Sequence, residues 1–306
     1  MADRSGVTRY RYTNLSAALR DRRSPLREYL DRTFPAVRAV QSDYRSRVGA
    51  IVVPSEGADP ALVGVAFDLG VRLRLEPERV PAIATIAFGA MPHRQAVIRE
   101  VGHEAGRSAL ANDAAGFARA CWALALCVQV YRDGGIGPDS ALYRLVRADR
   151  FTAADLLAVA GAAAIGELIG LDDLARRRFL PRLRRPWYLG PTFDASALCA
   201  ADADLIADHL LIDIKTRLGP RDPRTGVRSD RLPAADIRQL VAYALFDTSD
   251  RFGVREIGIY SARYGELVTR PLRETLDLLA GRPVDLPHER AEVRRLLAGG
   301  GPTEPV

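Results

Sequence analysis

The sequence has almost no lysine. Of its 44 basic residues one, Lys215, is lysine and the other 43 are arginine. Arginine therefore carries nearly all the positive charge. The single ammonium is either an incidental survivor or a position where a compact, titratable point charge does what a delocalised guanidinium does not. Cysteine is also scarce, and Cys121, Cys127 and Cys199 form no CxxC pair. So sparse and odd a set argues against a disulfide framework and supplies too few thiolates for a four-cysteine iron–sulfur cluster, leaving buried free thiols. The four histidines, His93, His103, His209 and His288, are scattered without ligand spacing. GxSxG, HExxH and GxxxxGK[ST] are missing, and a P-loop lysine has no place outside position 215.

Long apolar runs are missing as well. No stretch reaches the roughly 18 consecutive apolar residues of a membrane helix; the best candidate, 118–130, is short and interrupted by Arg119 and Gln129. The start, Met1-Ala2-Asp3-Arg4-Ser5, leads into polar sequence and not into a signal core. Cytoplasmic location with no membrane association is the resulting expectation. What is present suits a globular protein: 48% hydrophobic residues can fill a sizeable core over 306 residues, as two domains or one elaborated domain. The net charge of +6 is compatible with an anionic partner such as nucleic acid.

Residues 1–150 read as mainly helical. Leu15, Leu19, Leu26 and Leu30 punctuate an arginine-rich start, and Leu62, Val65, Ala66, Leu69, Leu73 and Leu75 form a helical stripe between Pro60 and Pro77. Asn112 and Asp113 begin a helix with Phe117, Cys121, Leu124 and Val128 on its apolar side, and the glycine-rich 133–138 segment stops it. From 151 the texture changes. Thr152 is placed to cap one helix over 153–178, ending in Arg176-Arg177-Arg178, where cations suit the helix C-terminus. An extended segment follows Pro186, and residues 203–206 and 210–216 read as a hairpin turning at Asp208-His209. A loop over 217–232, a helix over 234–246, a strand pair over 254–261 and 266–270, and two short helices complete the chain. This order implies a central sheet flanked by helices, α/β (α+β) in class. Three parts are expected: a helical 1–150, a core over 151–285, and a C-terminal helix with a frayed tail over 286–306.

The second hairpin strand, Leu210-Leu211-Ile212-Asp213-Ile214-Lys215-Thr216, is apolar on both faces except at Asp213 and Lys215. Such a strand belongs inside a covered sheet. The two charged residues are two apart, so both point to one side. Burying either charge unpaired costs several kcal/mol, about 3–5 when a buried partner is lost. They must pair, bind something or face a cleft. Hairpin pairing can bring Asp204 near Asp213, and two adjacent carboxylates repel unless a proton or cation sits between them. Hard oxygen ligands favour magnesium, manganese or calcium. The hairpin alone therefore allows two readings: a divalent-cation site beside a lysine, or a buried Asp213–Lys215 ion pair with Asp202, Asp204 and Asp208 as surface charges.

The string Ala201-Asp202-Ala203-Asp204-Leu205-Ile206, followed by Leu211-Ile212-Asp213-Ile214-Lys215-Thr216, resembles the D…(D/E)xK hairpin of PD-(D/E)XK nucleases. Gln239-Leu240-Val241-Ala242-Tyr243 is similar to the QxxxY helix motif of their RecB-like branch, and the resemblance spans roughly 150–275. It implies a restriction-endonuclease-like αβββαβ core with a helical N-terminal region, and a magnesium- or manganese-dependent nuclease acting most naturally on DNA in defence, restriction or repair. Asp204 and Asp213 would ligate the metal together with the backbone carbonyl of Ile214. Lys215 would position or deprotonate the attacking water, and Gln239 and Tyr243, at i and i+4, would border the site. A further acidic ligand is expected from the preceding helix, with Glu167 the natural candidate and Asp68 a competitor. Ala203 stands where the family has proline; Asp204 is preferred over Asp202 because Leu205 and Ile206 follow it directly as strand core. Arg217, Arg221, Arg224 and Arg228 decorate the loop after the strand and are expected to contact phosphates; Arg27, Arg32, Arg38, Arg45 and Arg47 form a second basic stretch. A motor or defence-system partner would be a separate chain. The competing reading is a non-catalytic nucleic-acid-binding module on the same fold.

Overall fold

The structure is a computed structural model that describes residues 10–299. Among these, thirteen α-helices surround a five-stranded mixed sheet. Ten helices precede the sheet: α1 (Leu15–Arg20), α2 (Pro25–Thr33), α3 (Val37–Arg47), α4 (Pro60–Leu75), α5 (Ile83–Ile86), α6 (Pro92–Ala111), α7 (Ala114–Asp133), α8 (Ala141–Arg147), α9 (Ala153–Leu157) and α10 (Ala162–Arg178). Strands β1 (Trp187–Leu189), β2 (Leu205–Ala207) and β3 (Leu210–Lys215) follow. Helix α11 (Ala234–Phe246) leads to β4 (Glu256–Ser261) and β5 (Glu266–Pro271), and α12 (Leu272–Ala280) and α13 (Leu286–Leu297) come last. The tail expected to fray lies, from residue 300 on, outside the described residues.

Local sequence sets the boundaries. Asp59 caps α4 by accepting from the N–H groups of Ala61 and Leu62, with Pro60 at the first helical position. Asp113 caps α7, which stops at Gly134 with φ 71°. Thr152 caps a helix as expected, but that helix is α9 and ends at Leu157. The single helix expected over 153–178 is two helices, because Gly161 adopts extended backbone (φ −74°, ψ 162°) and serves as the N-cap of α10. The hairpin turns where expected: Asp208 takes φ 56°, and Ala207 faces Leu210 across the two-residue turn.

The strands run in the order β1-β2-β3-β4-β5, antiparallel except for the parallel β3–β4 pair. That parallel pair needs a crossover, which α11 supplies. Alternating strand residues reach opposite faces. Leu205, Ala207, Ile212 and Tyr260 join a core with α4, α6, α7 and α10. Ile206, Leu211, Ile257 and Ile259 join a second core with α1–α3 and α11–α13. The sheet is covered on both sides, as the apolar β3 sequence implies. No break in either core falls near residue 150: α1–α3 lie on the α11 side and α4–α7 on the other. Residues before 150 thus contribute to the cores on both faces of the sheet. Helix α7 is long and apolar enough in composition to cross a membrane, yet it is mostly buried and packs against α4, α6 and α10.

One buried ion pair ties the layers together. Glu167 on α10 and Arg263 after β4 are almost wholly enclosed and paired. Glu167 also accepts from Ser55 Oγ (2.9 Å), Glu56 N (2.7 Å) and Ala58 N (3.1 Å). Arg263 donates to the carbonyls of Thr216 (2.6 Å) and Pro54 (3.0 Å). The pair therefore fastens the 53–58 segment to the end of β3. Removing one partner of such a pair strands the other charge, so Glu167→Ala should lower the unfolding free energy by about 3–5 kcal/mol in urea titration. A loss under about 1 kcal/mol, the range of an exposed pair, would contradict the enclosure.

Candidate functional site

The β2–β3 register builds the site. Leu205 faces Ile212, so the next position outward sets Asp204 opposite Asp213 on the α11 side of the sheet. Asp204 bends back onto β3: its Oδ2 accepts from Ile214 N at 2.6 Å, while its carbonyl accepts from Gly190 N at 3.1 Å. Ile214 thus enters through its N–H, which ties the peptide joining Asp213 and Ile214 to the facing carboxylate. Asp213 is 2% exposed. Lys215 Nζ lies 2.7 Å from its Oδ2, so the buried carboxylate is ion-paired with the ammonium two residues on.

Helix α11 supplies the next side chains. Gln239 Oε1 accepts from Lys215 Nζ at 3.2 Å, and Gln239 Nε2 donates to the Tyr243 hydroxyl at 2.7 Å. Their i, i+4 spacing makes this relay possible on one helix face. Tyr243 is anchored by stacking on Phe193, ring centroids 5.6 Å apart. Lys215 is therefore held between Asp213 and Gln239, with Asp236 Oδ1 3.9 Å away.

Electrostatics single out the same residues. Burial, reinforced by Asp204 and Asp236 and only partly relieved by Lys215, pushes the Asp213 carboxyl up to about 7. Burial lowers the Lys215 ammonium, but Asp213, Asp236 and Asp204 together more than offset this and hold it above its ordinary value. On the other side of Asp204, burial pushes Asp68 of α4 up to about 6, against the relief given by Arg72 and with the repulsion of Asp204 and Asp202 added. Asp202 is raised by burial and by Asp204. Asp204 is the acid that both sides feel.

Glu167 does not join this cluster. Its oxygens are taken by Arg263, Ser55 and two backbone N–H groups, which makes it a fastening between segments outside the Asp204 cluster. Asp68, the competing candidate, is the helix acid near Asp204, paired with Arg72 at 2.8 Å. Gly64, one turn before Asp68, packs on Thr216 so closely that an added Cβ would press its hydroxyl at 3.1 Å, and this close approach seats α4 at the end of β3. The loop arginines also divide. Arg217 turns inward to Asp230 (2.8 Å) and Asp236, leaving its Nη2 buried without a partner. Arg221 donates to the Gly226 carbonyl and Arg228 to that of Gly219, so both fold back on their own loop, while Arg224 is exposed. In the N-terminal stretch Arg27 pairs with Asp31 and Arg47 with Asp43, whereas Arg32, Arg38 and Arg45 are exposed.

Sequence reasoning missed Asp230, Asp236 and Arg72. Asp230 is buried and accepts from Tyr44 (2.5 Å), Ser261 (2.6 Å) and Arg217, contacts that join residues distant in the chain. Asp236, three residues before Gln239, carried a signal that reads equally as an ordinary acidic residue in a first helical turn.

Among the described residues no three acidic, histidine or cysteine side chains converge at coordination distance. What bears on a cation is instead the crowding of carboxyls around Asp204, where Asp68, Asp202 and Asp213 all have raised proton affinity. Hard carboxylate donors suit magnesium or manganese, with Asp204, Asp213 and Asp68 as the residues that would hold it. No protein-family model, curated protein or solved structure matches this chain.

The raised carboxyls set a direction for stability. A group whose folded pKa lies above its unfolded value contributes stability at low pH that is lost as pH rises through the folded pKa. For Asp213 that window runs from its ordinary 3.8 to about 7. In metal-free buffer, Asp213→Asn should therefore gain in melting temperature relative to the parent as pH rises from about 5 to about 8. Manganese should raise the parent's melting temperature at the upper pH, much less at the lower, and leave Asp213→Asn unmoved. A difference between variant and parent that does not change with pH would contradict the charge cluster.

Proposed function

We propose that this protein is a magnesium- or manganese-dependent nuclease that hydrolyses phosphodiester bonds, most naturally in DNA, on a restriction-endonuclease-like αβββαβ core formed by α10, β1–β3, α11 and β4. The observation that carries the reading is Asp204 opposite Asp213, with the only lysine of the chain two residues on and held by Gln239. A bound divalent cation supplies a more acidic water and neutralises phosphoryl charge. The chain's own groups do the rest. Asp204, Asp213 and Asp68 concentrate negative charge where a hard cation is held. Lys215, kept protonated by its acidic neighbours, directs an N–H toward a developing phosphoryl oxyanion or the attacking water. Gln239 fixes the ammonium's direction, and Tyr243 fixes the Gln239 amide. The exposed Arg224 in the neighbouring loop is a donor open to phosphate.

A second reading, an ion-paired module that binds nucleic acid without cleaving it, draws on one observation: Asp213, Asp68 and Arg217 already have charged partners within the chain. Cleavage separates the two. Linear, circular and single-stranded DNA and RNA are incubated with the protein in magnesium or in EDTA. The expected result is cleavage in magnesium alone. Lys215→Arg keeps the charge but not the compact ammonium, so it should melt like the parent and cleave about a hundredfold more slowly. Full activity in Lys215→Arg, or cleavage in EDTA, overturns the assignment.

A further inference from the structure

Beside the carboxylates lies a cleft of about 490 Å³ that the hydrolytic chemistry does not use. Its walls come from both layers: Arg72 of α4, Arg79 and Ile86 from the segment after it, Tyr131 of α7, Leu189 of β1, and Asp202 next to Asp204. Its volume falls in the range of roughly 300–1,000 Å³ that small-ligand pockets occupy. Two large side chains remain uncovered in it, Ile86 at 52% and Tyr131 at 50% exposure. An aromatic ring left in water at the edge of a charged site costs apolar burial unless a ligand covers it.

The arginines are placed differently. Arg72 is wedged between Asp68, at 2.8 Å, and the backbone of Gly190, where φ is 62° and an added Cβ would collide with the guanidinium. It stands at the boundary between the acid cluster and the cleft. Arg79 is 69% exposed at the cleft's rim, in a pair with Glu76 that its exposure makes weak. Two guanidiniums thus line a cleft holding a single carboxylate, Asp202.

We infer that this cleft takes one unpaired nucleotide next to the bond to be cut, its base against Tyr131 and Ile86 and its phosphate between Arg72 and Arg79. The inference rests on the nuclease reading and adds a substrate class: single strands, or duplexes with a frayed or extruded nucleotide. A base inside a duplex has both faces covered by its stacked neighbours and must leave the stack to enter a concave pocket. An unpaired base offers its face freely, and stacking on an aromatic ring is insensitive to which base it is. Backbone phosphates meanwhile meet the arginines, a salt-sensitive and sequence-independent contact.

The test is fluorescence anisotropy of a labelled single strand and of a blunt duplex of the same sequence, with calcium in place of magnesium. The parent should prefer the single strand. Tyr131→Ala should weaken single-strand binding about tenfold, and Tyr131→Phe, which keeps the ring, should restore it. Tyr131→Ala binding the strand as tightly as the parent, or weakening strand and duplex alike, overturns the pocket. Parallel cleavage in magnesium keeps the two ideas apart. A parent that binds strands through Tyr131 but cuts nothing overturns the nuclease reading and leaves the pocket standing. A Tyr131→Ala variant that cuts single strands as fast as the parent overturns the pocket and leaves the nuclease.

Discussion

Two carboxylates face each other across a hairpin inside a sheet covered on both sides, and most of what surrounds them answers that repulsion. Asp204 turns one oxygen to the Ile214 N–H, and Asp213 pairs with the Lys215 ammonium. Neither contact removes the cost, since the Asp213 carboxyl still stands far above its ordinary value. A fold optimised only for stability would place apolar residues there, because well-packed hydrophobic replacements of buried charges are often neutral or stabilising. The proposed nuclease reading gives these charges a use in receiving a cation, and the same charges hold the Lys215 ammonium above its ordinary value.

The helices before the sheet are integral to this arrangement. Helix α4 brings Asp68 and Arg72 to the far side of Asp204, and its approach depends on Gly64 lying against Thr216 at the end of β3. The Glu167–Arg263 pair anchors the segment leading into α4 and grips the Thr216 carbonyl. The buried Glu167 and the half-buried Asp68 therefore lie on neighbouring helices, and they differ in their donors. Glu167 has enough to hold its carboxyl below the ordinary value despite burial, whereas Asp68, with Arg72 against two like charges, is raised.

What was legible in the sequence follows from range. The period-two placement of Asp213 and Lys215, the Asp208-His209 turn and the Gln239–Tyr243 spacing are local, and the structure places all three as the sequence implied. The choice between Glu167 and Asp68 was not local. It depended on a turn at 55–58 and on Arg263, about a hundred residues away on either side of Glu167, and mid-helix position alone carries no sign of such partners. Arg217 misled for the same reason: an arginine in a polar loop reads as exposed until Asp230 and Asp236 are seen to draw it inward. How the helices before 150 pack was also not local: helix-rich sequence marks an element type, whereas α1–α3 and α4 bury against opposite faces of one sheet. The break before α10 rests on one glycine in extended conformation, which an alanine-rich sequence hides.

On the proposed nuclease reading, Asp204, Asp213 and Asp68 together hold a hard divalent cation. Crystals grown with manganese and measured for anomalous scattering test it most directly, since the signal locates the ion without regard to activity. The expected result is one anomalous peak about 2.1 Å from carboxylate oxygens of Asp204 and Asp213, with Asp68 directly or through water as its third acid. A peak at Glu167, or manganese-containing crystals with no peak at the hairpin while Asp213 remains against Lys215, would contradict it.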